Sequence, residues 1–256
     1  MPFKRIVLLA GKWDTTPLVY NFLQKNFPVT RVLIEEGVPK KEFLKKRIKK
    51  LGLLNVGGQI LFQLLIAKPL RMQSGKRITE IIEEYGLSQK PVPLNELTDI
   101  SSVNSDECLQ QLQLLQPDLV IIHGTRIISK KILKAVNAPF INIHAGITPR
   151  YRGSHGAYWA LVNNDKENCG VTVHLVDAGI DTGNVLAQGT IPFTSKDNFT
   201  TYGYLQLAVG LQLMKNVIDE LERGGKPGMK TELNSALWHH PTLWSYLWKR
   251  MTKGVK

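Results

Sequence analysis

Three polar side chains stand where a predicted strand ends or where two strands are joined. Asn142 and His144 close the apolar stretch Phe140–His144, and Asp181 lies in a polar loop between two further apolar stretches. Residues two apart in a strand point to the same face, so Asn142 and His144 could both address one reacting atom. The alternative is a hydrogen-bonded core histidine beside a capping asparagine, and an acid in a turn often bonds only its own backbone. The pair therefore suggests chemistry without establishing it.

The elements that must position these residues alternate between strand and helix. Apolar runs at 5–10, 29–35 and 118–123 are typical of buried parallel strands. Further strands are predicted at 140–144, 171–176 and 185–191, and helices at 15–25, 105–115, 129–136, 158–162 and 202–223. This order predicts an α/β protein with a doubly wound, mostly parallel, Rossmann-like sheet. Such sheets bind ligands at the carboxyl ends of their strands, where Asn142 and His144 stand.

The segment from about 40 to 72 interrupts this alternation and is interpreted as a helical insertion. Seven lysines and arginines crowd residues 40–50, and residues 51–67 then carry no charge at all. The apolar run is short for a membrane-spanning helix and is interrupted by Gly57, Gly58, Gln59 and Gln63. Two interpretations stay open: a helical hairpin packed on the domain, or peripheral contact with a membrane through 40–70.

Composition bounds the class of protein. The chain has 256 residues and 43% apolar residues, enough for one sizeable α/β domain with a modest appendage. Cys108 and Cys169 lie far apart, which argues against a disulfide framework or a cysteine zinc site, so we expect no metal and a cytoplasmic location. The apolar run near the N-terminus is interpreted as a first strand rather than a signal peptide. A net charge of +12 favours anionic partners without choosing among them.

Four motifs together resemble the folate-dependent formyltransferase family. They are Asn142-Ile143-His144, then 149–153 (PRYRG), 171–174 (VTVH) and 177–183 (DAGIDTG). The resemblance is strong from about 118 to 191, weaker over the first strand and helix, and fades in the insertion and the tail. It implies the formyltransferase fold with a helical insertion at about 36–75 in a catalytic domain of 1–225. The remaining 226–256 would be a short aromatic and basic extension.

The resemblance also implies a reaction, transfer of a formyl group from 10-formyltetrahydrofolate to a primary amine. Asn142 and His144 would donate hydrogen bonds to the oxygen that gains negative charge, and Asp181 would orient His144, favour its charged form and accept a proton through water. Binding of the folate is expected at Gly124, Thr125, Arg126, Ile127, Ile128, Asp177 and Gly179. Binding of the acceptor is expected at Gly11, Lys12, Arg152, Gly153, Ser154 and His155. For His174 a structural role is favoured.

The acceptor is inferred by elimination within the family. The phosphate-binding loop of the glycinamide ribonucleotide enzymes is replaced here by 11–14 (GKWD), and only about thirty residues follow Gly225, which leaves no room for a tRNA-binding domain. A small, phosphorylated or nucleotide-linked amino sugar is therefore expected, with no nucleic acid partner. Glycinamide ribonucleotide, methionyl-tRNA and simple hydrolysis of the folate stay as alternatives, together with a membrane-associated binding protein on the same fold.

Overall fold

A seven-stranded sheet forms the centre of the protein. The computed structural model describes residues 2–256 except the side chain of Lys40. The strands of the large sheet are β1 (Ile6–Gly11), β2 (Val29–Glu35), β3 (Leu97–Ile100), β4 (Leu119–His123), β5 (Phe140–His144), β7 (Gly170–Leu175) and β8 (Val185–Thr190). Their order is β3-β2-β1-β4-β5-β7-β8. The first five strands of that order run parallel, and β7 and β8 are antiparallel to their neighbours. The doubly wound, mostly parallel sheet predicted from the sequence is confirmed.

Helices cover both faces of the sheet. They are α1 (Thr16–Asn26), α2 (Lys40–Leu51), α3 (Leu53–Phe62), α4 (Lys68–Gln73), α5 (Gly75–Glu84), α6 (Asp106–Leu115), α7 (Lys130–Leu133), α8 (Gly156–Val162), α9 (Tyr202–Glu222) and α10 (Leu243–Lys253). Every residue of β1 is buried, because helices lie above and below it. Helix α9 crosses β5 and β7 closely at Gly210, where a Cβ atom would collide with the side chain of Ile143. Strand order reverses between β1 and β4, which opens a crevice at their carboxyl ends.

The insertion is helical, but its apolar part is longer than the sequence suggested. Gly57 and Gly58 do not interrupt it: α3, a π-helical turn (Gln63–Ala67) and α4 form one continuous helix, Leu53–Gln73. By length and composition this is one helix that could cross a membrane, and 28% of its most apolar window is buried in the protein. Val56 and Phe62 are among the buried residues, so one side of the helix packs on the domain.

The C-terminal segment returns to the domain rather than trailing from it. Strand β9 (Leu237–Trp238) pairs in parallel with the short strand β6 (Arg152–Gly153). Thr242 caps the N-terminus of α10, because its hydroxyl accepts a hydrogen bond from the backbone N–H of Ser245. Tyr246 of α10 is buried against Phe62 of α3, with ring centroids 5.0 Å apart. Neither β9 nor α10 was predicted: β9 is only two residues long, and the helical spacing of Trp244, Leu247, Trp248 and Met251 in α10 was not used.

Candidate active site

Asn142, His144 and Asp181 converge at the carboxyl end of β5. Asn142 and His144 leave the same face of that strand, and Asp181 approaches from the loop between β7 and β8. The Nδ1 atom of His144 lies 3.2 Å from Oδ1 of Asp181. His144 is 6% exposed, so little solvent screens this contact. All three residues line one cavity, which we call the strand-end cavity.

Both ring nitrogens of His144 face acceptor atoms. Nε2 lies 2.7 Å from the carbonyl oxygen of Tyr151, and Nδ1 faces the carboxylate of Asp181. Both contacts can be hydrogen bonds at once only when each nitrogen carries a proton, that is, when the ring is an imidazolium cation. The arrangement differs in one respect from the sequence-based hypothesis. His144 holds no free N–H here, so donation to a substrate requires that the Tyr151 carbonyl be exchanged for the substrate oxygen.

Asn142 is oriented by the strand beside it. Register pairs Asn142 of β5 with His174 of β7, and Nδ2 of Asn142 lies 3.2 Å from Nε2 of His174. Nδ1 of His174 donates to the carbonyl oxygen of Leu175 at 2.7 Å. Burial lowers the pKa of His174, which leaves the ring neutral with Nε2 as an acceptor. One N–H of Asn142 is therefore held by His174, and the second N–H is available to a ligand.

Asp181 is held as a carboxylate by His144 and by the backbone of Gly153. Burial by itself raises its pKa, but the hydrogen bond and charge of His144, and a bond from the backbone N–H of Gly153, more than offset that effect. The net result is a pKa for Asp181 below its ordinary value. Oδ2 accepts from the N–H of Gly153 at 3.0 Å. The backbone of Asp181 has φ 51°, a left-handed conformation that an aspartate adopts more readily than most residues and that turns its side chain toward His144.

The strand-end cavity has a volume of about 470 Å³. One wall is the loop that follows β4, from Gly124 to Ile128, and the opposite wall is the loop that holds Asp177, Gly179 and Asp181. Every residue expected from the family resemblance to bind folate therefore lines this cavity. Gly124 has φ +62°, which lets the chain turn sharply out of β4, and its backbone oxygen accepts from the indole of Trp13 at 2.7 Å.

A buried acid braces the loop after β4. Glu35, at the end of β2, is 5% exposed and accepts hydrogen bonds from the backbone N–H groups of Val103 and Arg126. The guanidinium of Arg126 also lies 3.0 Å from this carboxylate and donates to the carbonyl of Glu36 at 2.8 Å. Arg126 therefore lines the cavity with its stem while its charge is bound outside. Glu35 was not a sequence candidate, because only the fold brings β2 next to residue 126.

A second cavity of about 720 Å³ lies beside the first, and we call it the aromatic cavity. The two share Gly124, Ile143 and Ser154 as lining residues. Its ring-bearing walls come from Trp13, Tyr158, Phe199, Tyr202 and Tyr204. The insertion contributes Gln63, Ala67, Lys68 and Arg71. Arg71 forms an ion pair with Asp14 and donates to the hydroxyl of Tyr204 at 3.1 Å, which places a fixed cation in the cavity wall.

Three histidines of the aromatic cavity are kept neutral by burial. Burial lowers the pKa of His123 and of His240 to about 4 in each case, and that of His155 well below its ordinary value. Nε2 of His155 lies 2.8 Å from Nδ1 of His240, and the His155 ring packs on Phe199 with centroids 4.3 Å apart. The neutral rings can donate and accept hydrogen bonds, but they carry no positive charge that would attract an anion.

The residues expected to bind the acceptor are divided by the structure. Gly153 lines the strand-end cavity, His155 lines the aromatic cavity, and Ser154 lines both. Gly11, Lys12 and Arg152 are not among the described residues that line either cavity, so their assignment stays a prediction without geometric support. Lys12 instead lies 2.9 Å from Asp99, and Nη1 of Arg152 donates to the carbonyl of Ile180 at 3.1 Å.

Several lining residues escaped the sequence analysis. Lys50, Leu237, Trp238 and His239 reach the strand-end cavity from the insertion and from the C-terminal segment. Pairing of β9 with β6 brings the last three beside Gly153, and no local pattern in the sequence signals that pairing. Among residues 2–256, no group of three or more histidine, cysteine, aspartate or glutamate side chains is arranged to hold a metal ion.

The candidate site residues lie at the carboxyl ends of β4 and β5 and in the loop between β7 and β8. The model of the formyl transferase family matches residues 67–218, more than half of the chain, and the chain belongs to that family. It is 35% identical over 124 residues to a methionyl-tRNA formyltransferase of Thermodesulfovibrio yellowstonii, which covers 48% of this chain and 40% of that protein. The chain thus spans less than half of the length of that relative.

Solved structures share the fold at lower identity. A phosphoribosylglycinamide formyltransferase from Streptococcus pneumoniae superposes with a TM-score of 0.54 at 20% identity, over 86% of this chain and 99% of that one. A sugar N-formyltransferase from a Shewanella species also gives a TM-score of 0.54, at 16% identity, over 91% of this chain and 76% of that one. The same fold therefore occurs in proteins named for different acceptors, and fold alone does not select one.

Proposed function

We propose that this protein transfers a formyl group from 10-formyltetrahydrofolate to a primary amine. The observation that carries the proposal is the convergence of Asn142, His144 and Asp181 in one cavity that opens beside a second cavity. Two adjoining spaces suit a reaction between two molecules, with the catalytic side chains at their junction. Membership of the formyl transferase family supports the same conclusion.

The chain's own groups have distinct tasks in this proposal. An amine attacks the formyl carbon of the bound donor, and negative charge grows on the formyl oxygen. When that charge collapses, the bond from the carbon to the folate nitrogen breaks, and the nitrogen takes up a proton so that tetrahydrofolate can leave. Asn142 presents its free N–H to that oxygen, and His144 presents Nε2–H after it leaves the Tyr151 carbonyl. Asp181 keeps His144 charged and aligned, and through a water molecule its carboxylate can take the proton that the amine loses.

The strand-end cavity fits the pterin part of a folate in size and chemistry. Its volume of about 470 Å³ lies within the usual range for small-molecule sites. A pterin ring offers hydrogen-bond donors and acceptors along one edge and flat faces above and below. The backbone N–H and C=O groups of the loop from Gly124 to Ile128 can hydrogen-bond to the edge of the pterin ring, while Ile122 and Val176 can pack on one of its faces.

For the acceptor we propose an amino sugar joined to a phosphate or a nucleotide. The aromatic cavity offers flat rings that suit a sugar or a base, and Arg71 and Lys68 supply cations for a phosphate. Its volume of about 720 Å³ would hold a molecule of that size.

A second acceptor, methionyl-tRNA, is favoured by one specific observation. The relatives that match at 30% to 40% identity include several methionyl-tRNA formyltransferases. An apolar, aromatic cavity would also accept the side chain of methionine. The two acceptors differ in size and charge, so a direct assay separates them.

The test is an assay of the purified protein with 10-formyltetrahydrofolate and each candidate amine. Release of tetrahydrofolate and a mass gain of one formyl group on the acceptor are followed together. We expect both signals with a phosphorylated or nucleotide-linked amino sugar. Tetrahydrofolate release without a formylated acceptor would indicate hydrolysis, and no release with any amine would contradict the proposed function.

A further inference from the structure

The helical insertion and α10 form one exposed surface that is both apolar and basic. Among the described residues, nine large hydrophobic side chains are exposed on α2 and on the continuous helix Leu53–Gln73, four on α10, and six on the rest of the chain. We call the surface made by these helices the apolar-basic face. Soluble monomers rarely expose a contiguous apolar surface of this kind without a partner.

The helices of this face are joined to one another through their inner sides. Nε of Arg47 on α2 donates to Oε1 of Gln59 on α3 at 3.0 Å, and Nε2 of Gln59 donates to the carbonyl of His240 just before α10 at 2.8 Å. The indole of Trp244 on α10 packs directly on Gly58. The outward sides therefore belong to one rigid surface rather than to separate mobile helices.

Apolar residues follow helical stripes on the outward side. On α10 the exposed residues Trp244, Leu247, Trp248 and Met251 recur every three or four positions, and the buried Tyr246 lies on the opposite side. On the longer helix the exposed pairs are Leu53 and Leu54, Ile60 and Leu61, and Leu64 and Leu65. Two amphipathic helices thus turn their apolar stripes away from the domain.

The charge that surrounds these stripes is almost all positive, and the single acid of α2, Glu42, is paired with Lys46 at 2.6 Å. Residues 43–79 contain no aspartate or glutamate, and neither do residues 233–256. Lysines and arginines crowd α2, and three more, Lys249, Arg250 and Lys253, flank the stripe of α10. A second copy of this chain would bring like charges together, which repel. A polynucleotide would place its charged phosphates against the exposed leucines, which gain nothing from that contact. An anionic lipid bilayer matches both features, because its headgroups attract the basic side chains and its apolar interior accepts the apolar stripes.

We propose that this chain docks on anionic lipid bilayers through the apolar-basic face, with the helices lying in the interface. Exposed Trp244 and Trp248 have the amphipathic ring that favours the headgroup level. A spanning arrangement does not fit, because Phe62 is fully buried against Phe199 and Tyr246. The proposal goes beyond formyl transfer and does not depend on it, since it concerns a surface rather than the catalytic cavities.

The experiment is flotation of the full chain with vesicles of phosphatidylcholine, alone or mixed with phosphatidylglycerol. We expect binding to the mixed vesicles that weakens with salt. Leu54→Ser combined with Trp248→Ser should lower the partition coefficient about tenfold or more, because two exposed apolar anchors are lost. The matched control, Leu94→Ser with Leu114→Ser, changes two equally exposed leucines elsewhere and should bind as the parent does.

A second pair of variants tests the charge. Lys45→Glu with Lys49→Glu should also lower the partition coefficient about tenfold, whereas Lys25→Glu with Lys134→Glu makes the same net change outside the face and should have a smaller effect. Equal partition of the parent and the Leu54/Trp248 variant would overturn the proposal. Two other results would also overturn it. One is tRNA binding that the Leu54/Trp248 substitutions weaken, together with no binding to vesicles. The other is a dimer of the chain that the same substitutions dissociate.

Discussion

The strand-end cavity takes Asn142, His144 and His174 from neighbouring strands of a regular sheet, whereas the aromatic cavity is assembled from segments far apart in the chain. Asn142, His144 and His174 are fixed by the register between β5 and β7. Trp13, Arg71, Phe199 and His240 come from four different segments. The comparison indicates where chemistry is fixed and where specificity can vary. A sheet edge holds catalytic atoms within narrow limits, while loops and an inserted helix can change without disturbing it.

The largest effect is expected from a change of charge in the strand-end cavity. Asp181→Asn keeps the size of the side chain but removes the negative charge that faces Nδ1 of His144 at 3.2 Å. Turnover should fall about a thousandfold or more, as for other buried aspartates that orient a catalytic histidine. Steady-state kinetics and folate binding by calorimetry measure the two properties separately, and folate affinity should change little.

Asp177→Asn is the matched control for that variant. Asp177 is exposed, and it accepts hydrogen bonds from Thr182 and from the N–H of Gly179 within its own loop. Its loss should reduce turnover far less. If Asp177→Asn abolishes transfer while Asp181→Asn leaves it intact, the acid of the site has been chosen wrongly.

Removal of one hydrogen-bond donor should have the next largest effect. Asn142→Ala and His144→Ala each take away a group that faces the developing oxyanion in the proposed reaction. We expect turnover to fall roughly a hundred- to thousandfold, about 3 to 4 kcal/mol of barrier, with folate still bound. Single-turnover kinetics check this, and near-normal rates in either variant would contradict the assignment.

A change in the aromatic cavity should affect binding rather than chemistry. Arg71→Met retains a long side chain and loses the cation proposed to hold the acceptor's phosphate. We expect the KM of the acceptor to rise about tenfold with kcat nearly unchanged, since one charged contact is worth about 1.4 kcal/mol or more. Arg223→Met, an exposed arginine at the end of α9, is the control. A loss confined to kcat would place Arg71 in the chemical step instead.

Ionic strength should give a smaller, graded effect on the same cavity. Salt screens charges over about 8 Å at physiological ionic strength, so the KM of an anionic acceptor should rise severalfold from low to high salt. The kcat should stay constant, because His144 is 6% exposed and is little screened by added salt. An acceptor KM that does not change with salt would contradict binding of an anionic acceptor by the cations of the aromatic cavity.

The last expected effect is on stability in mild acid and is separate from turnover. His123, His155 and His240 are held neutral by burial, with pKa values depressed in the folded protein. A histidine of this kind contributes its full stability above its unfolded pKa of about 6.5, and the contribution is lost as pH falls toward about 4. The free energy of unfolding should therefore decline over this window, by less than about 1.4 kcal/mol per pH unit for each histidine.

Urea denaturation at several pH values measures that decline. His240→Gln should make it shallower, because the glutamine does not titrate. An equal slope in the parent and in the variant would show that His240 does not contribute.

The sequence predicted the sheet and the strand-end cavity far better than the aromatic cavity. Apolar runs bounded by turns located six of the seven strands of the large sheet, and the motif around Asn142 and Asp181 pointed to residues that the structure brings together. Strand β3 (Leu97–Ile100) escaped because only Ile100 in it is buried. Arg71 and His240 could not be assigned, since their role depends on how the insertion and the C-terminal segment pack on the domain.

The π-helical turn at Gln63–Ala67 changes the spacing of the inward-facing residues along the inserted helix. Its inward positions advance by three residues from Val56 to Gln59 and Phe62, and then by five to Ala67. An α-helix rotates about 100° per residue, so this one extra residue brings Arg71 round to the cavity. Deleting a single residue there would turn everything beyond it by about 100°. The number of residues in this turn, whatever their types, therefore sets how the outer surface of the helix is aligned with the wall of the aromatic cavity.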